Sequence, residues 1–214
     1  MALSEGKVRD YIKRLLIARM RILCNHGFYG LLLMHMIYEI DENAETAYTD
    51  GERIAFGPDF LDDLSNEELD FVLMHEILHV VLQHCLRTRK DDPIRYNVAA
   101  DIVVNSNIML ENGGKHSSIT LSKYGESMHI APGGKEGHLY TAEEVYEMLP
   151  PTNKRRNSGQ SGKPDRTSKS GKTDELDQTD ESDQNGNSNQ GSWDDHSHWG
   201  KFEEDSILRD KWIK

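Results

Sequence analysis

An H-E-x-x-H motif, His75-Glu76-Ile77-Leu78-His79, lies inside a run that is otherwise almost wholly apolar, with Phe71-Val72-Leu73-Met74 before it and Val80-Val81-Leu82 after it. Such flanks describe a helix buried on nearly all sides. On a helix, residues four apart stand one above the other, so His75 and His79 can offer their imidazoles to one tetrahedral metal. Glu76 sits beside the pair, where its carboxylate can take a proton from a metal-bound water whose pKa zinc lowers to about 7. A carboxylate buried without compensation costs several kcal/mol or is forced to neutralise, so its presence here points to a cation. Ser65-Asn66-Glu67-Glu68 reads as a capping box, which starts the helix near Asn66, and the apolar pattern continues it to about Arg87.

Two histidines do not complete a zinc site. His84, five residues past His79, falls roughly 140° round a straight helix, nearly opposite His75, and cannot join the pair there. The metzincin extension fails as well, because Leu82 and Cys85 occupy the positions where it needs Gly and His. The next helix is a better source: Asp92 can cap it and Pro93 can open it, and Asn97, Asp101 and Asn105 form a polar i, i+4, i+8 stripe on an otherwise apolar segment. Asp101 is the expected third ligand. The competing assignment makes it a hydrogen-bond acceptor behind one of the ligand imidazoles, and His84 and His196 stay open as other sources of a ligand.

Thr49-Asp50-Gly51, Arg53-Ile54-Ala55-Phe56, Pro58-Asp59-Phe60, the motif helix with His84 and Arg87, Asp92-Pro93 and Asn97-Val98-Ala99-Ala100-Asp101 together resemble the putative metallopeptidase domain of bacterial and phage proteins. The resemblance covers roughly residues 5 to 150 and resumes at Trp193-Asp194-Asp195-His196-Ser197-His198-Trp199. It implies a zincin-like α+β fold with a small antiparallel sheet packed on the active-site helix and an antiparallel helix following it. It also implies a peptide or protein substrate and, as a partner, a MoxR-type AAA ATPase. In that family the domain commonly precedes a von Willebrand factor A-like domain; this chain reaches Lys214 without one, as expected of a stand-alone or truncated member or of a first domain made alone.

Three segments follow from composition. Residues 1–151 carry the periodic elements, and the resemblance implies that they form the zincin-like domain. Residues 152–191 are rich in Asn, Ser, Gly, Gln, Lys and Asp, with one Leu and no aromatic side chain, which predicts a disordered insertion. Residues 192–214, with Trp193 and Trp199, predict a return to the domain, since Trp is seldom left bare in a solvated tail. There His196 is a candidate to stabilise an oxyanion or bind metal, and the alternative is a surface cap packed by the two Trp. His198 is the weaker candidate of the two. His26, His35, His116, His129 and His138 have no partner spacing.

Coarser expectations complete the domain. Ser4 to Cys24 reads as an amphipathic helix, Gly30 to Ile40 as one strand, and Ala47-Tyr48-Thr49 with Arg53-Ile54-Ala55-Phe56 as a hairpin closed by Asp50-Gly51. The region from Gly113 to about His138 reads as a polar loop, and Thr141 caps a helix through Met148. A net charge of −12 argues against a nucleic-acid reader. No apolar stretch has the length of a membrane span or signal peptide, and Cys24 and Cys85 read as reduced core residues, so the expected location is cytoplasmic.

The function these residues predict is a zinc-dependent hydrolase of peptide or amide bonds, with His75, His79 and Asp101 on the metal, Glu76 as base, and Tyr96 or His196 at the oxyanion. The alternative is a non-catalytic, metal-stabilised adaptor working with the ATPase. Glu76 distinguishes them, because a purely structural zinc site closes its fourth position with a protein ligand and has no use for a base between its histidines.

Overall fold

Ser4 starts the first helix by accepting a hydrogen bond from the Lys7 amide, and α1 (Glu5–Asn25) then buries Tyr11, Leu15, Ala18 and Ile22 along one stripe. The computed structural model describes residues 3–87, 91–111 and 128–152; the expectations for the insertion, the C-terminal return, His116, His196 and His198 lie outside the described residues. α2 (Gly27–Leu33) packs against α1 so closely that a Cβ on Gly30 would stand 2.2 Å from Leu23 Cα. Gly30→Ala is therefore expected to destabilise the protein by about 1–3 kcal/mol or more, since backbone rather than a yielding side chain is in the way. Denaturant unfolding of the variant measures this, and an unchanged midpoint would contradict the close approach.

Two expectations fail here. The segment from Gly30 is not one strand, because α2 runs to Leu33 and only Ile37–Ile40 (β1) is extended. An apolar run of this length does not discriminate between helix and strand; burial of Tyr29, Gly30 and Leu33 with Leu31 exposed shows that a helical face is what α1 covers. Nor is the sheet purely antiparallel. β2 (Ala47–Thr49) and β3 (Arg53–Phe56) form the expected hairpin, but the order is β1-β3-β2 with β1 parallel to β3. β3, whose Ile54, Ala55 and Phe56 are wholly buried, takes the centre, and β1, half-exposed along its length, takes an edge. The hairpin turn is held by Asp50 Oδ1, which accepts from the amides of Glu52 at 3.0 Å and Arg53 at 2.9 Å, while Gly51 supplies a φ of 92°.

After α3 (Pro58–Asp63), whose closing carbonyls at Leu61 and Leu64 accept from the Arg14 guanidinium, comes the motif helix α4 (Asn66–Val81). Its capping box is formed as expected: Ser65 Oγ accepts from the Glu68 amide at 3.1 Å, and Glu68 Oε2 from the Ser65 amide at 2.7 Å. The helix does not continue to Arg87. It stops at Val81, Gln83 adopts a left-handed φ of 57°, and a separate short helix α5 (His84–Arg87) follows. α6 (Pro93–Glu111) starts as expected, with Asp92 Oδ1 accepting from the Arg95 amide at 3.3 Å.

The described part of the expected polar loop holds a small hairpin, β4 (Ile130–Ala131) and β5 (Lys135–Glu136), turned at Gly133 and Gly134 with φ of 97° and 80°. A 3-10 turn (Gly137–Leu139) leads to α7 (Ala142–Met148), capped by Thr141 as predicted. One apolar cluster joins α1 to α4, the sheet and the later turns of α6; a second joins α5, α6, the small hairpin and α7. α6 belongs to both, which is why its apolar residues show no single face. The fold is thus mixed α+β with small sheets. Neither cysteine forms a disulfide, though Cys24 is exposed rather than in the core, and only Cys85 is buried. Among the described residues no helix is long and apolar enough to cross a membrane.

Candidate metal centre

α4 and α6 meet across their buried faces, and their polar residues meet there too. His75, Glu76, His79, Asp101 and Asn105 are each 0 % exposed. The Nε2 atoms of His75 and His79 lie 2.8 Å apart, and Asp101 Oδ1 stands 3.6 Å from the first and 3.4 Å from the second. Zinc bonds of about 2.0–2.1 Å at tetrahedral angles put neighbouring ligand atoms about 3.3–3.4 Å apart, so the carboxylate edges have the right span and the imidazole edge is tighter. Among the described residues this trio is the one group of His, Cys, Asp or Glu that could hold a metal ion.

The other ring nitrogens decide whether the trio fits a cation. His75 Nδ1 lies 2.9 Å from Asn105 Oδ1, while Asn105 Nδ2 donates to the Met128 carbonyl at 3.4 Å. That orientation makes Oδ1 the acceptor and assigns the His75 proton to Nδ1, leaving Nε2 with its lone pair towards the trio. His79 Nδ1 faces His84 Nδ1 at 3.0 Å. The His75 Nε2, the His79 Nε2 2.8 Å from it and a carboxylate oxygen, all fully buried, converge on one point, an arrangement that a cation among them would compensate. The donor set fits a divalent metal, and two imidazoles with one carboxylate is a set that suits zinc.

Asp101 therefore reaches both imidazoles, where the polar stripe of its helix placed it. Asn105, from the same stripe, bonds the far side of His75; Asn97 Oδ1 is buried with no hydrogen-bond partner among the described residues. Pairing of His75 with Asn105 and of His79 with Asp101 means that the two helices run in opposite directions, as expected.

His84 is where reading a continuous helix misled. The left-handed residue at Gln83 redirects the chain, and His84, 1 % exposed, arrives at the Nδ1 side of His79, away from the trio. No sequence signal marked the break, since the favoured residue at such a position is Gly or Asn. Gln83→Gly should relieve the left-handed backbone and stabilise the protein by about 0.5–1 kcal/mol, net of the flexibility glycine adds to the unfolded chain. A fall in the urea midpoint would contradict that geometry.

Tyr96, a candidate for the oxyanion, is fully buried on α6. Its hydroxyl donates to Glu143 Oε1 at 3.4 Å, and burial pushes its pKa up. Burial also acts to raise the Glu143 carboxyl, but the paired Arg87 guanidinium outweighs it and holds the group below the usual carboxylate range. His129 and His138, which have no partner spacing in the sequence, bond the Glu136 carboxylate and the Ser106 hydroxyl at 3.0 Å and 2.9 Å, contacts made by the small hairpin and the 3-10 turn.

A family model described as a putative metallopeptidase domain matches residues 10–209 of this chain. No curated protein and no solved structure gives a significant match.

Proposed function

We propose, from the premise that this chain belongs to the putative metallopeptidase domain family, that it is a zincin-like hydrolase of peptide or amide bonds with one zinc on His75, His79 and Asp101. The observation that carries the reading is the convergence of two imidazole Nε2 atoms and one carboxylate oxygen in a fully buried cluster next to a buried glutamate. A bound zinc would supply a Lewis acid that acidifies a water and polarises the carbonyl under attack.

The residues of the chain do the rest. Asn105 accepts the His75 Nδ1 proton and keeps that ring's Nε2 directed at the trio. Glu76 takes the proton of the attacking water on its carboxylate and delivers it to the departing amine. β2, an edge strand packed on α4, is the element to hold an extended peptide by backbone hydrogen bonds. His196 is assigned to the oxyanion. The substrate is a peptide or protein, the location cytoplasmic, and an AAA ATPase is the partner that the family resemblance implies.

Complete burial of all three candidate ligands supports a second reading, in which the metal braces the meeting of α4 and α6 and the protein serves as an adaptor. Elemental analysis of protein purified without an affinity metal, with a peptide-library cleavage assay before and after chelation, separates the two. About one zinc per chain, with cleavage lost on chelation and restored by zinc, is the expected result. Zinc without cleavage favours the adaptor, and a wild-type protein that takes up no metal overturns both.

A further inference from the structure

The backbone at Gln83 is the only non-glycine with positive φ among the described residues, and what it delivers is His84. The short helix α5 is secured from three sides. Cys85 Sγ contacts the Thr49 carbonyl at 4.0 Å, the Arg87 guanidinium donates to the Leu82 carbonyl at 3.0 Å, and the same guanidinium pairs with Glu143 of α7. The His84 ring stands edge-on to Tyr96, with centroids 6.3 Å apart and planes at 87°. A left-handed residue held by this many contacts is a placement, since a non-glycine residue in that region costs of order 1–3 kcal/mol.

We propose that His84 is a positioning residue, whose Nδ1 accepts the Nδ1 proton of His79 and thereby holds His79 in the tautomer that offers Nε2 to the trio. This rests on the metal-centre reading above. A neutral imidazole carries one proton, so His79 can present a lone pair at Nε2 only when Nδ1 holds the hydrogen, and a buried N–H needs an acceptor. The contact at 3.0 Å makes His84 Nδ1 that acceptor, as Asn105 Oδ1 is for His75 at 2.9 Å. Each candidate ligand ring is thus oriented through its Nδ1, one by a residue of α6 and the other by a residue of α5. His84 itself faces the nitrogen remote from the trio, so it orients a ligand and does not act as one.

The test uses the full chain loaded with zinc. Long-range proton–nitrogen correlation spectra of the wild type, labelled at its histidines, are expected to show His79 protonated at Nδ1 and His84 unprotonated there. Zinc affinity by chelator competition is then compared for wild type, His84→Asn and His84→Phe. Asparagine can place Oδ1 where the imidazole has Nδ1, so His84→Asn should bind within a few-fold of wild type, whereas His84→Phe should bind about 10–100-fold more weakly. Rescue by asparagine is the outcome that loss of packing alone would not produce.

A proton on Nδ1 of His84, a metal on its ring, or equal affinity in all three proteins overturns the proposal. Should His84→Phe fail to fold, the wild-type tautomers and His84→Asn decide it. A wild type that takes no zinc would instead overturn the metal centre itself, which no comparison of variants is needed to see.

Discussion

Replacing Asp101 with alanine is expected to abolish the stabilisation that zinc confers, as is replacing His75. A ligand that binds only the folded state adds about 2.7 kcal/mol at one hundred times its dissociation constant and about 4.1 kcal/mol at a thousand times. For a domain of this size that is a rise in melting temperature of roughly 10 °C in the wild type. The variants keep only two of the three converging atoms, and two do not complete a zinc site in the described residues. Melting curves with and without zinc should therefore separate for the wild type and coincide for Asp101→Ala and His75→Ala. The difference between the paired curves is the informative quantity, because each substitution also changes the packing of a fully buried position. If Asp101→Ala still gained the full increment, Asp101 would leave the ligand set and the third ligand would have to come from elsewhere, with His196 the first alternative.

The second large effect is on turnover. Glu76→Gln is expected to retain zinc and to lose cleavage activity by about a hundredfold to ten-thousandfold, the contribution of a positioned general base. The amide is nearly isosteric with the carboxylate but cannot take a proton from water, and it introduces no charge into a residue that is 0 % exposed. Zinc content and the zinc-dependent rise in melting temperature should stay near wild-type values. Cleavage at the wild-type rate would remove Glu76 from the chemistry. Loss of zinc together with activity would show that Glu76 serves the integrity of the site, which is the behaviour expected of an adaptor.

Both effects concern residues that could be singled out before any coordinates, and the reason is that their relationships are local. A spacing of four on a helix stacks two side chains whatever surrounds it, so His75 and His79 were bound to share a face once Ser65 and Glu68 had started α4. The same holds for α6, where Asp92 and Pro93 open the helix and a step of four joins Asp101 to Asn105. The Asp50-Gly51 turn is local too, made by a side chain bonding amides two and three residues on.

What the tertiary structure decided depends on partners remote in sequence. The apolar residues from Gly30 to Leu33 fit helix or strand equally, and docking on α1 made them a helix; β1 lies parallel beside β3, a pairing across 16 residues that no local pattern announces. The left-handed turn at Gln83 has no glycine to announce it, and the residues that hold α5 in place, Thr49 and Glu143, are 36 and 56 positions from the residues they contact. Motif spacing by itself determined which side chains could face one metal. Only the packing of α4, α5 and α6 determined that Asp101 meets them and which atoms, Asn105 Oδ1 and His84 Nδ1, stand behind them, because a contact across 5 or 30 residues is set by where the chain bends and not by helical period.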